Sequence, residues 1–558
     1  MPVMTGAKFL AETLSRYGLS HYFFMPVSVP SAMPEFDLVG IESIMAHSEK
    51  GAAYMADGYA RVAGRIGVCG SQSVGALNMA AGLQDAYLGC SPVLALTGRL
   101  AQKSQGRNAY QEVDHNSPFE AVTKYSTTVT APDELPIFLR QALREAVSST
   151  PGPVHLDLYG IAGNIVMEGE ADLEVVVEEQ FCHVPPFRPI PEESDLFSAI
   201  ELLSSAKRPV IVAGGGVRAS GAREELLQLS EQLKIPVVTS LNAKDTFPAR
   251  HPLAVGVSGV YSRECSNKIL ALADLVFFVG SHTGEQVTNQ WKLPRAGAKV
   301  IQLDINPSEL GRSFPVNIGL SCDAKAGLKE LVTRFGQHEV DSERNDWVKV
   351  AKDLVGEWYG RFEPLMYSDA MPMRPERLCH ELAIALPPDS ILVSDTGHAG
   401  IWTGTMIDFH SPDQDYIRCA GSLGWGIPAA VGAKCAASDR PVICFTGDGG
   451  VWYHVAELNT AARNGINVIT IVNNNASLNQ EQALNERNYG GRSERSDRLW
   501  MLGDTDFAAM AESMGCLGIT VRRPAEFISA LGQAFDAKWP TLIDVKTDIE
   551  GIAPRAWD

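Results

Sequence analysis

Two apolar runs flank a helical period in the last third of the chain, and variants of this pattern recur along its length. Pro441-Val442-Ile443-Cys444-Phe445-Thr446 reads as a buried strand, because an unbroken apolar run bounded by turn residues suits a sheet covered on both faces. Val451, Val455, Leu458 and Ala462 then recur at the spacing of one helix face. Gly465 stops that helix, and Ile466 to Val472 reads as a second buried strand. Strand, helix and strand in this order make the unit of a parallel sheet.

The same alternation organises the rest of the chain into three segments. The first carries short apolar strands at His21 to Val27, Ile41 to Ala46, Ile66 to Cys69, Pro92 to Thr97 and Val154 to Leu158. A proline-rich, acidic connector around Glu178 to Glu193 follows. The second segment has the strand Pro209-Val210-Ile211-Val212, a helix over Ala222 to Leu233, and strands at Leu275 to Val279 and Val300 to Ile305. A charged stretch, His338 to Asp353, leads into the third segment. The expected fold is α/β, with three doubly wound parallel-sheet domains at about 1–185, 190–340 and 370–558.

Composition narrows the classes. The chain has 558 residues, enough for three cores of ordinary size. A net charge of −19 argues against nucleic acid or an anionic membrane as partner. Ten cysteines lie scattered without a Cys-x-x-Cys pair, which points to neither a zinc site nor a disulfide framework. Met1 to Leu10 lacks the apolar core of a signal peptide and no run reaches membrane length, so a cytoplasmic location is the expectation.

The chemistry concentrates where the two C-terminal strands end. Gly447-Asp448-Gly449-Gly450 follows the first and Asn474-Asn475-Ala476-Ser477 the second, at one edge of the expected sheet, where open α/β folds bind ligands. A carboxylate and an amide oxygen suit a hard divalent cation, and flanking glycines let backbone N–H groups approach phosphate oxygens. A phosphate-free turn would place the same residues there. The residues read as a Mg²⁺-diphosphate site.

This layout resembles the signature of thiamin-diphosphate (ThDP) enzymes, a Gly-Asp-Gly followed by an Asn-Asn pair, with Asp448 and Asn475 here 27 positions apart. The resemblance implies that Asp448 and Asn475 give side-chain oxygens and Ser477 its carbonyl to Mg²⁺, with Gly447, Gly449 and Gly450 beside the diphosphate. Asp395-Thr396-Gly397-His398 lies where the family has its other diphosphate loop, implying contacts from Gly397 and His398; a surface histidine is the alternative for the latter. In Ala420-Gly421-Ser422-Leu423-Gly424-Trp425, Leu423 would wedge under a bent cofactor and the Gly421 carbonyl would accept from its 4′-amino group. His47-Ser48-Glu49-Lys50-Gly51-Ala52-Ala53 and Ala56-Asp57-Gly58-Tyr59-Ala60-Arg61 resemble the family's pyrimidine-binding segment, with small residues on one helix face and Glu49 at its start. There the glutamate bonds N1′ and favours the imino tautomer; a carboxyl held out of water keeps its proton more readily.

Reaction type is less sharply marked. Tyr110-Gln111-Glu112 resembles the Phe-Gln-Glu motif of acetolactate synthases and related lyases, implying that Gln111 reaches the reacting centre. Two departures look more like decarboxylases: Gln72-Ser73-Val74-Gly75 in place of Gly-Pro-Gly, and Glu481 beyond the metal site, which reads equally as a protonating group or a solvated helix charge. The glycines 214–216 satisfy a weak dinucleotide pattern and resemble a central domain that in some members holds FAD or ADP; His282-Thr283-Gly284-Glu285-Gln286 departs from the FAD-binding stretch. The expectation is a ThDP- and Mg²⁺-dependent carboligase or lyase acting on a 2-keto acid or acyloin through an enamine-carbanion. A 2-keto acid decarboxylase and an FAD-dependent oxidase are the alternatives. The family pairs half-sites across subunits, implying at least a homodimer and commonly a homotetramer.

Overall fold

A computed structural model describes residues 2–336 and 343–554. The ends of the expected segments at residues 1, 337–340 and 555–558, and the start of the charged stretch at 338, lie outside them. From Glu343 that stretch is helical, in a helix running to Met366.

The first sheet contains β1 (His21–Phe24), β2 (Glu42–Met45), β3 (Gly67–Ser71), β4 (Val93–Arg99), β5 (Tyr125–Val129) and β6 (Val154–Tyr159). All pairings are parallel, in the order β2-β1-β3-β4-β6-β5. The central sheet is built from β7 (Pro209–Ala213), β8 (Val237–Thr239), β9 (Ala254–Val257), β10 (Leu275–Val279), β11 (Lys299–Asp304) and β12 (Ile318–Ser321), ordered β9-β8-β7-β10-β11-β12. The last has β13 (Ile391–Ser394), β14 (Asp415–Arg418), β15 (Val442–Gly447), β16 (Ile469–Asn474), β17 (Leu517–Val521) and β18 (Thr541–Lys546), ordered β14-β13-β15-β16-β18-β17. The outer two sheets therefore share one connectivity, and the central one has the order of dinucleotide-binding folds. A two-stranded antiparallel pair, Val3–Thr5 with Glu170–Asp172, ties the first segment's ends together.

Five helices place the candidate residues: α1 (Glu49–Ala63), α2 (His398–Met406), α3 (Gly426–Ala436), α4 (Asp448–His454) and α5 (Glu457–Arg463). The helical period from Val451 to Ala462 is thus two helices broken after His454, not one. The first and last domains pack α1 against α3 at backbone distance. A Cβ on Gly58 would collide with the Ala429 carbonyl, and one on Gly432 with the Met55 carbonyl, so glycine is required at both. Ala52, Ala56 and Tyr59 join Ile427, Ala430 and Val431 in one buried cluster spanning the two domains. Burying this shared apolar surface holds the two sheets in fixed relation.

Candidate active site

The outer sheets each reverse direction between their first and third strands, and such a switch point opens a crevice at the strand C-termini. In the last domain the residues entering that crevice are Asp395 after β13 and Asp448 after β15. Asp448 is buried. Its Oδ1 accepts the Gly449 N–H at 2.9 Å and its Oδ2 the Ser477 N–H at 2.8 Å. The loop after β16 turns back toward it because Ala476 has φ +58°.

The two asparagines do different things. Asn474 points inward, donating to Asp544 at 2.8 Å and accepting from the Ala476 N–H at 3.1 Å, so it shapes the loop. Asn475 Oδ1 instead accepts the Ser477 hydroxyl at 2.9 Å. Asp448, Asn475 and Ser477 are therefore one hydrogen-bonded group. Burial pushes the Asp448 carboxyl up to about 7 against the pull of its two amide donors. Among the described residues no cationic side chain pairs with it. A buried carboxylate without a counter-charge, beside an amide oxygen, fits a divalent cation. Among the described residues no cluster of three or more His, Cys, Asp or Glu is arranged for a metal.

Part of the surrounding backbone is open. A Cβ on Gly447 or Gly421 would meet nothing within 4 Å. Gly449 and Gly450 are glycines for the opposite reason: a Cβ there would strike Leu478 and Thr446. Gly397 has φ +63°, and the buried Gln480 Oε1, which has no hydrogen-bond partner, lies 3.0 Å from where its Cβ would be. His398 opens α2, and its Nδ1 bonds Asn479 Oδ1 at 2.7 Å; Asn479 in turn donates to Ile549 and Gly551 carbonyls.

Asp395 ties these loops together. One oxygen accepts the N–H groups of Thr396 (2.7 Å) and Gly424 (3.0 Å), the other those of Gly426 (3.1 Å) and the Thr446 hydroxyl (3.3 Å). Burial raises its carboxyl to about 6. Leu423, half-buried, immediately precedes the anchored Gly424, which has φ +85°.

The first domain gathers its own group. Ser48 caps α1 by accepting the Gly51 N–H at 2.9 Å, which leaves Glu49 half-buried in the first turn. Asn78 donates to Glu49 at 3.3 Å, and a Cβ on Gly75 would collide with the Glu49 carboxylate. Two residues earlier, the Ser73 hydroxyl donates to the Gln111 carbonyl at 2.7 Å. Gln111 has φ +61°, and its Oε1 is buried without a partner. Glu49 and Gln111 thus flank one short turn. Within one chain no hydrogen bond or ion pair among the described residues joins Glu49 to Asp448, Asn475 or Ser477. The Glu481 carboxylate, half-buried after Gln480, likewise makes none.

Three buried carboxylates, Asp395, Asp85 and Glu457, support these groups. Asp395 had a signal, an acid directly after a strand. Asp85 and Glu457 had none, because they act across domains: Glu457 accepts the His47 N–H at 3.1 Å, just ahead of α1.

The central domain contains a cavity of about 870 Å³ at its own switch point, lined by Gly215, Arg218, Ser281 and Asp304 and closed by Cys90 and Asp415 of the flanking domains. Gly214 and Gly216 press against the Gly280 backbone.

Two sheets of one connectivity around a third of dinucleotide-binding order, with an uncompensated carboxylate at a switch point, define a three-domain α/β enzyme of the diphosphate-binding class. Family models agree in order along the chain. Residues 4–117 match the thiamine pyrophosphate enzyme N-terminal TPP binding domain, 196–331 the central domain and 395–545 the C-terminal TPP binding domain. Similar proteins include a probable acetolactate synthase large subunit of Methanocaldococcus jannaschii, 32% identical over 98% of this chain and 92% of that protein. An acetolactate synthase large subunit of Corynebacterium glutamicum is 31% identical over 99% and 88%. The chain belongs to the thiamine pyrophosphate enzyme family and is a ThDP-dependent enzyme. No described helix is long and apolar enough to cross a membrane, and the ten cysteines are unpaired.

Proposed function

We propose that this protein is a Mg²⁺- and ThDP-dependent carboligase or lyase of acetolactate synthase type, taking a 2-keto acid or an acyloin. Full-length similarity to acetolactate synthase large subunits supports the class. The single observation behind the metal site is the buried Asp448 carboxylate, tied through Ser477 to Asn475 and lacking a cationic partner. In this reading Asp448, Asn475 and the Ser477 carbonyl hold Mg²⁺. Gly447, Gly449, Gly450, Gly397 and His398 border the diphosphate.

When bound, ThDP supplies a ring that stores the electron pair released as a bond next to a carbonyl breaks. The chain's residues do the rest. Leu423 packs under the cofactor and the Gly421 carbonyl accepts a hydrogen bond from its amino group. Glu49 holds a proton at the pyrimidine ring, and Gln111, whose Oε1 has no partner of its own, hydrogen-bonds the substrate. The pairing of half-sites across subunits in this family supports a homodimer with shared sites, from which a homotetramer can be built.

A non-oxidative 2-keto acid decarboxylase is the second reading, favoured by the unengaged Glu481 carboxylate. Mass spectrometry of products from a 2-keto acid panel, with and without aldehyde or second keto-acid acceptors, tests the choice. C–C-coupled products are expected; release of aldehyde alone, whatever the acceptor, overturns carboligation. The cavity in the central domain offers room for FAD or ADP, and bleaching of a bound flavin on addition of 2-keto acid, with reduction of an added electron acceptor, separates an oxidase from both.

A further inference from the structure

Asp85 belongs to the first domain, yet its carboxylate grips the backbone of the last. Its Oδ1 accepts the Ala420 N–H at 2.7 Å, and its Oδ2 accepts those of Gly421 (3.2 Å) and Ser422 (3.0 Å). Three successive N–H groups converging on one carboxylate make an anion-binding concavity filled by the protein itself. The site is built for charge. Asp57 and Asp85 are both fully buried and share Arg61, which bonds both Asp57 oxygens at 2.7 Å and reaches Asp85 at 3.1 Å. Two carboxylates to one guanidinium leave an excess negative charge. The Trp425 ring N–H serves Asp57 at 2.9 Å, so beyond its share of Arg61 the Asp85 carboxylate is satisfied by the loop amides.

The consequence follows from peptide geometry. In a trans peptide the N–H of one residue and the C=O before it point in opposite directions. With the Ser422 N–H held on Asp85, the Gly421 carbonyl is turned away from the interdomain core. Gly421 is exposed, with nothing within 4 Å of its side-chain direction. Resting on the ThDP reading above, we propose that Asp85 is a positioning residue: it aims the Gly421 carbonyl at the cofactor's amino group and fixes the approach of Leu423, two residues on. The N-terminal domain of each chain thus helps build the cofactor site on its own C-terminal domain.

The test compares Asp85→Asn with Asp57→Asn in the full-length protein. Both remove one buried carboxylate from the same cluster, and only the first replaces an oxygen that holds the loop amides with an NH2 group, a donor facing donors. Hydrogen–deuterium exchange of the protein without Mg²⁺-ThDP should show amides 420–422 protected in wild type and Asp57→Asn, and exposed in Asp85→Asn, with α3 unchanged in all three. With Mg²⁺-ThDP bound, exchange of the thiazolium C2 proton, read by quenched NMR, should fall roughly tenfold or more in Asp85→Asn, a loss of about 1.4 kcal/mol in alignment. It should stay near wild type in Asp57→Asn. Equal behaviour of the two variants would reduce Asp85 to a structural member of the cluster and overturn the proposal. Fast exchange of amides 420–422 in wild type overturns it even if Asp85→Asn does not fold. Wild-type protein that retains no Mg²⁺-ThDP overturns the cofactor reading as well, whereas retention with an unaffected Asp85→Asn overturns this inference alone.

Discussion

The Ser477 backbone N–H donates to the Asp448 carboxylate at 2.8 Å, closing the end of β16 onto the end of β15. The bond gathers an acid, an amide and a carbonyl from loops 27 positions apart. Its electrostatics give a signed prediction. The Asp448 carboxyl, raised to about 7 by burial, stabilises the ligand-free fold fully below its unfolded value near 4, and that contribution is lost as pH rises through about 7. Above pH 7 the burdened carboxylate costs on the order of 3–4 kcal/mol. Asp448→Asn should therefore melt at or above the wild-type temperature at pH 8 without ligand, yet gain nothing from added Mg²⁺-ThDP. Scanning fluorimetry with and without cofactor checks both. A normal ligand-induced rise in Asp448→Asn would remove this residue from the metal site.

Glu49 is held in the first turn of α1 by local contacts with Asn78, Gly75 and the Ser48 cap. Glutamine has the same shape and keeps the acceptor that Asn78 uses. Glu49→Gln should fold and retain Mg²⁺-ThDP while turnover falls about 10²-fold or more, the range in which a positioned acid–base group acts. Turnover within a few-fold of wild type, measured at saturating cofactor, would strip Glu49 of its role.

The fold was readable where strands are apolar and buried on both faces, as at Pro209–Ala213 and Leu275–Val279, because periodicity reports burial directly. Edge strands such as Tyr125–Val129 and Asp415–Arg418 escaped because polar side chains interrupt their runs. The residues proposed for the metal stood out because strand ends and glycines mark them locally. Asp85 could not be found this way: its backbone partners begin 335 positions later, and only the docking of α1 on α3 brings them together. The Val455–Ala456 break also has no sequence signal, since neither residue is a helix breaker; Ala456 takes the N-cap position of α5 without a side-chain cap, while Glu457 turns to the His47 amide.

His155 gives a pH prediction away from the cofactor. It is fully buried, bonded to Thr97 at 2.6 Å and Ser126 at 2.9 Å, and stacked on Phe119 at 3.6 Å. Burial depresses its imidazole to about 3. A depressed value means its contribution to stability is present above the unfolded value near 6.5 and lost as pH falls from there toward 3. Between pH 7 and pH 5 this loss is about 2 kcal/mol. His155→Gln, which cannot titrate, should be less stable than wild type at pH 7 and close much of that gap at pH 5. Denaturant midpoints at the two pH values check this, and a gap of constant size would show that His155 does not stay neutral in the fold.

The proposed sharing of sites between subunits makes the most specific prediction. On that proposal Glu49→Gln would damage only the site that receives the N-terminal half of that chain, and Asp448→Ala only the site built on its own C-terminal half. In a mixed dimer, the intact Glu49 of the Asp448→Ala chain meets the intact Asp448 of the Glu49→Gln chain, restoring one whole site and leaving the other doubly defective. Random assembly of co-expressed variants makes half the dimers mixed, so activity should recover to about a quarter of wild type. Differently tagged subunits purified through both tags should reach about half. If each chain closed a site on itself, every mixed dimer would contain one Glu49 defect and one Asp448 defect, and tandem-purified dimers would be no more active than the parent variants.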